Sequence, residues 1–393
     1  MGDDVYLALD IGSSRLKAAL LAPGGGRVGA RSWDVDGTSP AALAAGVDAS
    51  IAALAWEAAK GGRRIRGLGM AVQMAGLLLL DDRYEQVDGM MTGTTPGPAG
   101  AAEALAADVA ATGLDLHQRT GCPIQPYYPA PKARAWAAAA SPAARARVRQ
   151  VGDLKAYLLW SLTGSWTTDP ATASATQLFD RQEWRWLPVP GVPWPISAYP
   201  RIRPPWEIAG AVDLRNSQRL GLPRGLPVIV GTGDGPAMSV GAGLLQRGEA
   251  LLSLGTTTVV RWAEQAQEAD RVLAPDEFRQ ALSPDRLLCG CRSRPGDASL
   301  DRLEDALRRA VAREGLTGLQ LTGGGAADPV RRAAARRLGL PVRDAGCPDA
   351  TAGVGVLVHM ALESTNLDEA MGAMASVPDS PSRSEQLDMG RRP

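Results

Sequence analysis

The stretch Val5-Tyr6-Leu7-Ala8-Leu9-Asp10-Ile11-Gly12-Ser13-Ser14 is echoed by Ala250-Leu251-Leu252-Ser253-Leu254-Gly255-Thr256-Thr257-Thr258. Each reads as an apolar strand, a turn of glycine plus hydroxyl residues, and a second apolar strand. The recurrence predicts a duplicated fold rather than one continuous core. In each turn the glycine lets the backbone approach an anion closely, while Ser or Thr adds hydroxyl and main-chain N–H donors. One such turn is common in hairpins; two, at the starts of two chain halves, form a phosphate-binding pattern.

At 393 residues the chain exceeds one ordinary core and reads as two domains. The composition breaks suggest 1–226 and 227–376, followed by a tail, 377–393, whose Pro, Ser and charge lack periodicity and read as disordered. Lys plus Arg equals Asp plus Glu at 42 each, so no global basic field favours nucleic acid or an acidic membrane. Met1-Gly2-Asp3-Asp4 has no basic character, and the apolar run at 76–80 is far short of the roughly 20 residues of a membrane span, so a cytoplasmic protein is expected. The 4 cysteines are too few and scattered for a disulfide framework. Cys289-Gly290-Cys291 has no second cysteine pair and only His117 and His359 to complete a structural metal site, which is therefore disfavoured.

Patterning gives strands over Val5–Asp10 and Leu16–Leu21, then a helix from about Pro40 to Lys60 with Ser39 as N-cap and Gly61-Gly62 as the stop. Strands follow at 65–72 and 77–80, and alanine-rich helices at 99–111 and 132–140. Asp153 caps a helix in which Leu154, Tyr157, Leu158 and Leu162 share a face and Gly164 is the stop. Residues 187–205 are crowded with Pro and Trp and read as irregular, the tryptophans as packing beneath that loop. In the second half, Val228–Val230 is a buried strand, a helix starts at Pro236, and 251–262 is the second hairpin. Leu303, Leu307 and Val311 mark a helix over 300–313, Gly318–Thr322 is a strand, and 329–338 is a helix with a solvated arginine face. The order of strands and helices is α/β with mixed pairing.

Four places could carry chemistry. Asp234, between glycines at the carboxyl end of an apolar strand, lies where open α/β sheets place ligand crevices, although a turn Asp bonding its own backbone reads the same way. Asp10 also ends an apolar strand, directly before Gly12-Ser13-Ser14; a carboxylate beside a phosphate turn makes sense with a cation between them, and Mg²⁺ that keeps its waters is the usual mediator. Lys17 could reach a phosphate or, by alternation, point to solvent. Gly323-Gly324-Gly325-Ala326 would let a nucleotide lie against bare backbone, yet matches neither the P-loop nor the dinucleotide fingerprint.

The ordered set Asp10-x-Gly12-Ser13-Ser14, Gly233-Asp234-Gly235, Leu254-Gly255-Thr256-Thr257 and Thr322-Gly323-Gly324-Gly325 resembles the FGGY carbohydrate kinases, most closely their xylulokinase-like members. Gly69–Asp81, carrying Gln73-Met74, is similar to the family's sugar-site segment, and Thr120–Ile124, Ala130-Pro131-Lys132 and 163–180 follow in the family's order. The resemblance implies two ribonuclease-H-like domains of the actin and hexokinase ATPase type around a central cleft, ATP and Mg²⁺ as cofactors, and a small ketose or polyol as acceptor. It further implies Asp234 as catalytic base at the sugar, Gln73 and Met74 as sugar contacts, and Asp10 holding Mg²⁺ through water. Gly12, Ser13, Ser14, Lys17, Gly255, Thr256, Thr257, Gly323, Gly324 and Gly325 would then take the nucleotide. A homodimer is the assembly kept open.

Three departures cluster at the sugar site. Ala75 stands where the family usually has His, Gly235 where Asn often follows the catalytic Asp, and Met91–Pro98 where a Trp-Asn-Asp segment is usual. The interval of 66 residues from Thr257 to Gly323 implies a shortened second domain. Two competing readings are a degenerate kinase acting as a sugar- or nucleotide-binding regulator, and an ATPase of the same superfold without a sugar substrate. Retention of the carboxylates and turns favours catalysis over the first, and Gln73-Met74 favours the sugar kinase over the second.

Overall fold

The computed structural model describes residues 3–35, 39–245, 248–254, 258–265, 271–293, 301–323, 335–336, 339–345 and 349–374. Gly255, Thr256, Thr257, Gly324, Gly325, most of the 329–338 helix and the 377–393 tail lie outside the described residues.

The first half is built on strands β1 (Asp4–Ile11), β2 (Arg15–Leu21) and β3 (Arg27–Asp34), helix α1 (Pro40–Lys60) and strand β4 (Arg64–Val72). β5 (Ile208–Ala211), β6 (Pro227–Ile229) and β7 (Thr232–Gly233) return to the same sheet after a long excursion. The sheet order is β5-β6-β4-β1-β2-β3, with β7 also on β4. β1, β2 and β3 run antiparallel as a meander, whereas β4 lies parallel to β1 after crossing over through α1. α1 forms where the sequence places its signals: Ser39 Oγ accepts from Ala42 N at 3.2 Å, Pro40 fills the first turn, and Gly61 closes it. By length and composition α1 could cross a membrane, and here its Leu43, Val47, Ile51 and Leu54 are buried under the first sheet.

The second sheet repeats this plan. Helix α2 (Asp234–Gly241) leads to β8 (Glu249–Leu254), β9 (Thr258–Gln265), β10 (Glu277–Ser283) and β11 (Arg286–Arg292); α3 (Asp301–Glu314) then crosses to β12 (Gly318–Thr322), followed by β13 (Val342–Asp344). Its order, β10-β11-β9-β8-β12-β13, contains the same run as β3-β2-β1-β4-β6, with β10 added at the edge. β8 and β9 are antiparallel and β12 is parallel to β8, as β2 and β4 are to β1. The two echoing segments are therefore the first two strands of two equivalent sheets.

Between the sheets lie α2 and the helices α4 (Thr351–Glu363) and α5 (Leu367–Met374). Tyr6, Ala8 and Ala71 of the first sheet share one buried cluster with Ala237 and Val240 of α2, Val354 and Val358 of α4, and Leu251 of the second sheet. Small residues make this packing close. An ideal Cβ on Gly353 would sit 2.7 Å from the carbonyl carbon of Ala237, and one on Gly69 would sit 2.8 Å from methyls of Val354 and Val358.

The excursion from 77 to 205 has its own core. Leu78–Leu80 pairs with Gln150–Gly152, and helices Ala101–Thr112 and Pro129–Ala139 pack beside them; the second starts at Pro129 rather than Lys132, because proline is at ease in a first helical turn. Helix Leu154–Thr163 is capped by Asp153, whose Oδ1 accepts from Ala156 N at 2.9 Å. The Trp-rich stretch is mostly irregular; Trp186 is 6% exposed and stacks on Tyr199 at 4.9 Å, which makes it core.

Candidate active site

β1, β4 and β7 are neighbouring parallel strands, and their carboxyl ends open to the same side. Asp10 ends β1, Gln73 and Met74 follow β4, and Asp234 follows β7. Residues from three distant parts of the chain thus meet at the carboxyl end of one sheet, the usual place for a ligand crevice in such sheets.

Gly12 N donates to Arg15 O at 2.9 Å, which makes the turn between β1 and β2 tight, and Ser13 and Ser14 are exposed at its tip. Lys17 is paired directly across from Asp10 in the β1–β2 register, so both side chains stand on one face, with Nζ 3.5 Å from Oδ2. Asp10 is 8% exposed, and its carboxyl is pushed up to about 6. Burial is the main cause; Asp234 and Asp349 add to it, while Lys17 and the backbone N–H of Ala350 oppose it.

Asp349, which local pattern did not mark, belongs to this corner. Arg27 donates to it at 3.2 and 3.4 Å and Thr351 N at 3.0 Å. Burial favours its neutral form, but Arg27, Thr351 and Lys17 outweigh that and hold its carboxyl below the usual range. Among the described residues no group of three or more His, Cys, Asp or Glu stands ready to hold a metal.

Asp234 is the first residue of α2 rather than a turn residue ahead of a helix starting at Pro236, with Gly233 as N-cap. There the helix dipole favours its carboxylate, and its Oδ1 accepts from Gly235 N at 2.8 Å. It is half-buried, and its pKa is raised by that burial against the opposing pull of Arg261 and the Gly235 N–H. The approach to Asp234 is tightly packed: Gly231 has φ +66 and lies against the backbone of Met70, and an ideal Cβ on Gly233 would be 3.0 Å from Cε of Met74. Met74 is thereby seated against the strand that delivers Asp234. Gln73 is half-buried, and its N donates to Ile11 O at 2.8 Å.

A buried ion pair holds this strand from behind. Lys155 is 1% exposed and Asp169 fully buried; they pair directly, Lys155 Nζ also donates to Gly231 O at 3.3 Å, and Thr232 Oγ1 donates to Asp169 Oδ2 at 2.7 Å. Asp169 also caps the short helix Pro170–Ser174 through Ala171 N at 2.9 Å. Its place in the family-like 163–180 segment was legible, but its pairing to Lys155 was not.

On the other side of Asp234 stands Arg261 of β9, a residue no local pattern singled out. An ideal Cβ on Gly235 would sit 2.6 Å from Cζ of Arg261, so the glycine makes room for the guanidinium. At the second sheet, Gly323 has φ +89 and abuts Leu254, with an ideal Cβ 3.1 Å from the Leu254 carbonyl carbon. Of the nucleotide residues expected in this half, Gly323 is the one described.

A family profile described as "FGGY family of carbohydrate kinases, N-terminal domain" matches residues 5–241. The chain is 28% identical over 264 residues to a xylulose kinase of Klebsiella pneumoniae, an alignment covering 65% of this chain and 53% of that protein. It spans about half the length of the curated relatives it matches. In fold it is similar to the ligand-bound xylulose kinase of Lactobacillus acidophilus, with TM-score 0.79, 17% identity and coverage of 93% of this chain and 91% of that one. The ADP-bound glycerol kinase of Plasmodium falciparum gives TM-score 0.80 at 13% identity, covering 96% and 94%. These likenesses establish the two-domain fold of actin and hexokinase type.

Proposed function

The chain belongs to the FGGY family of carbohydrate kinases, and from that membership we propose that it transfers the γ-phosphate of ATP to a hydroxyl of a small sugar or polyol, with Asp234 as general base. The observation that carries this reading is the convergence of Asp10, Gln73-Met74 and Asp234 at the carboxyl ends of three adjacent parallel strands. Asp234 takes the proton of the acceptor hydroxyl while that oxygen bonds to the γ-phosphorus and the bond from phosphorus to the departing ADP oxygen breaks. A half-buried carboxyl with a raised pKa suits this role, since a base is most effective when its pKa approaches the working pH. Similarity to a xylulose kinase and a glycerol kinase supports a ketose or polyol as acceptor.

Ser13 and Ser14 present hydroxyl donors at an exposed hairpin tip held tight by the Gly12 N–H, and we assign Gly12, Ser13 and Ser14 with Lys17 to the phosphates. Gly255, Thr256 and Thr257, with Gly323, Gly324 and Gly325, are assigned to the nucleotide from the other sheet. The donor set fits Mg²⁺. Asp234 and Asp349 both act electrostatically on Asp10, Lys17 is the cation paired with Asp10, and a divalent ion with retained waters needs only one or two carboxylates. Asp10 would hold it. When bound, the ion neutralises charge on the transferring phosphoryl group.

The test is purified protein with Mg²⁺-ATP against ketoses, aldoses and polyols, read by mass spectrometry of phosphorylated products. A product that disappears in Asp234→Ala with ATP binding intact supports the assignment. No product across the panel would transfer the chain to the regulatory, non-catalytic reading.

A further inference from the structure

Three cations, Lys132, Arg292 and Arg261, lie near one another, and the last of them reaches Asp234. Lys132 is 2% exposed, and its Nζ donates to the carbonyl of Thr92 at 2.6 Å, a neutral acceptor. Arg261 is half-buried between Gly235 and the Phe278 ring, with Cζ 5.8 Å from the ring centroid; its Nε is buried with no hydrogen-bond partner among the described residues. Arg292 lies over Tyr127 at 5.4 Å. These groups share one locus: Arg292 acts electrostatically on both Lys132 and Arg261, and the carboxylate acting on Arg261 is Asp234. Burial and Arg292 together push the Lys132 ammonium down to about 8, which shows how poorly its charge is matched.

The floor beside them is apolar, formed by Ala75, Cys122, Tyr128, Ala175 and Phe278 with Met74 against it. Gly93 of the 91–98 loop closes on Met74 and Ala75, with an ideal Cβ 3.1 Å from Cβ of Ala75. Position 75 and this loop, where acceptor contacts are expected, thus offer methyl, threonine and glycine instead of acids. Buried cations without counter-charge are costly, and an arginine fork matches a carboxylate or phosphate in two parallel hydrogen bonds.

We propose that the acceptor this chain takes carries an anionic group, a carboxylate or a phosphate on a polyhydroxy chain, held by Arg261 with Arg292 and Lys132. This rests on the kinase reading and names the class of acceptor.

Titration calorimetry without ATP tests it, using D-gluconate and D-ribose 5-phosphate as anionic probes and sorbitol and D-ribose as their neutral counterparts. The anions are expected to bind about tenfold or more tightly than the neutrals, with gluconate and ribose 5-phosphate separating the two anion chemistries. Arg261→Leu and Arg292→Leu, each checked for an unchanged circular dichroism spectrum, should each lose about tenfold in anion affinity, and Arg261→Lys should recover part of it. Anions that bind no better than the neutrals, or that bind equally well to both leucine variants, overturn the proposal. Neutral probes phosphorylated while the anions are not would overturn it and leave the kinase standing. Anion binding lost in the variants, with no transfer to any acceptor, would remove the kinase reading and overturn the anion as an acceptor, leaving an anion-binding site alone.

Discussion

Lys17 faces Asp10 across the antiparallel β1–β2 pair, Nζ 3.5 Å from Oδ2, so the strand that leaves the turn returns a cation to the carboxylate that enters it. One lysine does not offset the burial of Asp10, whose pKa stays near 6. The folded chain is left with a carboxylate that gains from an added cation.

That imbalance has a pH signature. Between about pH 4 and pH 6 the folded chain keeps a proton on Asp10 that the unfolded chain has released, so this group's contribution to stability falls as pH rises through the window. Asp10→Asn is expected to melt on the order of 2–5 °C higher than the parent at pH 7.5 without nucleotide, with the gap closing at pH 4.5. The same variant should bind Mg²⁺-ATP more weakly. Equal destabilisation at both pH values would argue against the burial account.

Asp234→Asn keeps the shape of the first turn of α2 while removing the base. Turnover should fall by about 10²–10⁴-fold, with nucleotide affinity changed little. A coupled ADP assay beside nucleotide titration separates the two effects. A variant that retains near-parental turnover would leave Asp234 a structural role only.

Lys155 and Asp169 form a buried pair that also holds Gly231 and Thr232 just ahead of Asp234. Lys155→Met strands a buried carboxylate and should cost about 3–5 kcal/mol in chemical denaturation. The double variant Lys155→Met with Asp169→Asn should recover part of that loss. Recovery matters more than the loss, because a merely packed lysine would show none.

Gly353 of α4 lies on α2 so closely that an ideal Cβ would be 2.9 Å from Gly241 N and 2.7 Å from the Ala237 carbonyl carbon. Both neighbours are backbone and cannot swing aside. Gly353→Val should destabilise the chain by about 1–3 kcal/mol or more, and should lower activity because α2 carries Asp234. Unchanged thermal melting would show that the helices can part without cost.

Much of the fold is written locally. Ser39, Pro40 and Gly61 bound α1 because capping acts over a single turn, and Leu43, Val47, Ile51 and Leu54 mark its buried face by spacing alone. The two strand–turn–strand segments announce the duplication for the same reason: alternation and turn chemistry are short-range. The edges were harder. β3 alternates half-buried and exposed residues along its length but follows a glycine run that reads only as a turn, and the helix at Asp234 begins two residues ahead of its proline.

Asp10, Asp234 and Gln73-Met74 could be read from sequence because each ends or follows an apolar strand, and a parallel sheet gathers such ends by construction. Arg27 with Asp349, Lys155 with Asp169, and Arg261 over Gly235 could not. Each joins residues from different elements that only packing brings together; Arg27 and Asp349, which also join the two halves, are 322 positions apart. The chain by itself determined which strands exist, where its turns carry hydroxyls and which carboxylates sit at strand ends, since those follow from forces acting within a few residues. Only the tertiary structure decided which charges those carboxylates feel, because burial and pairing are set by groups that approach through space and leave no mark on the local pattern.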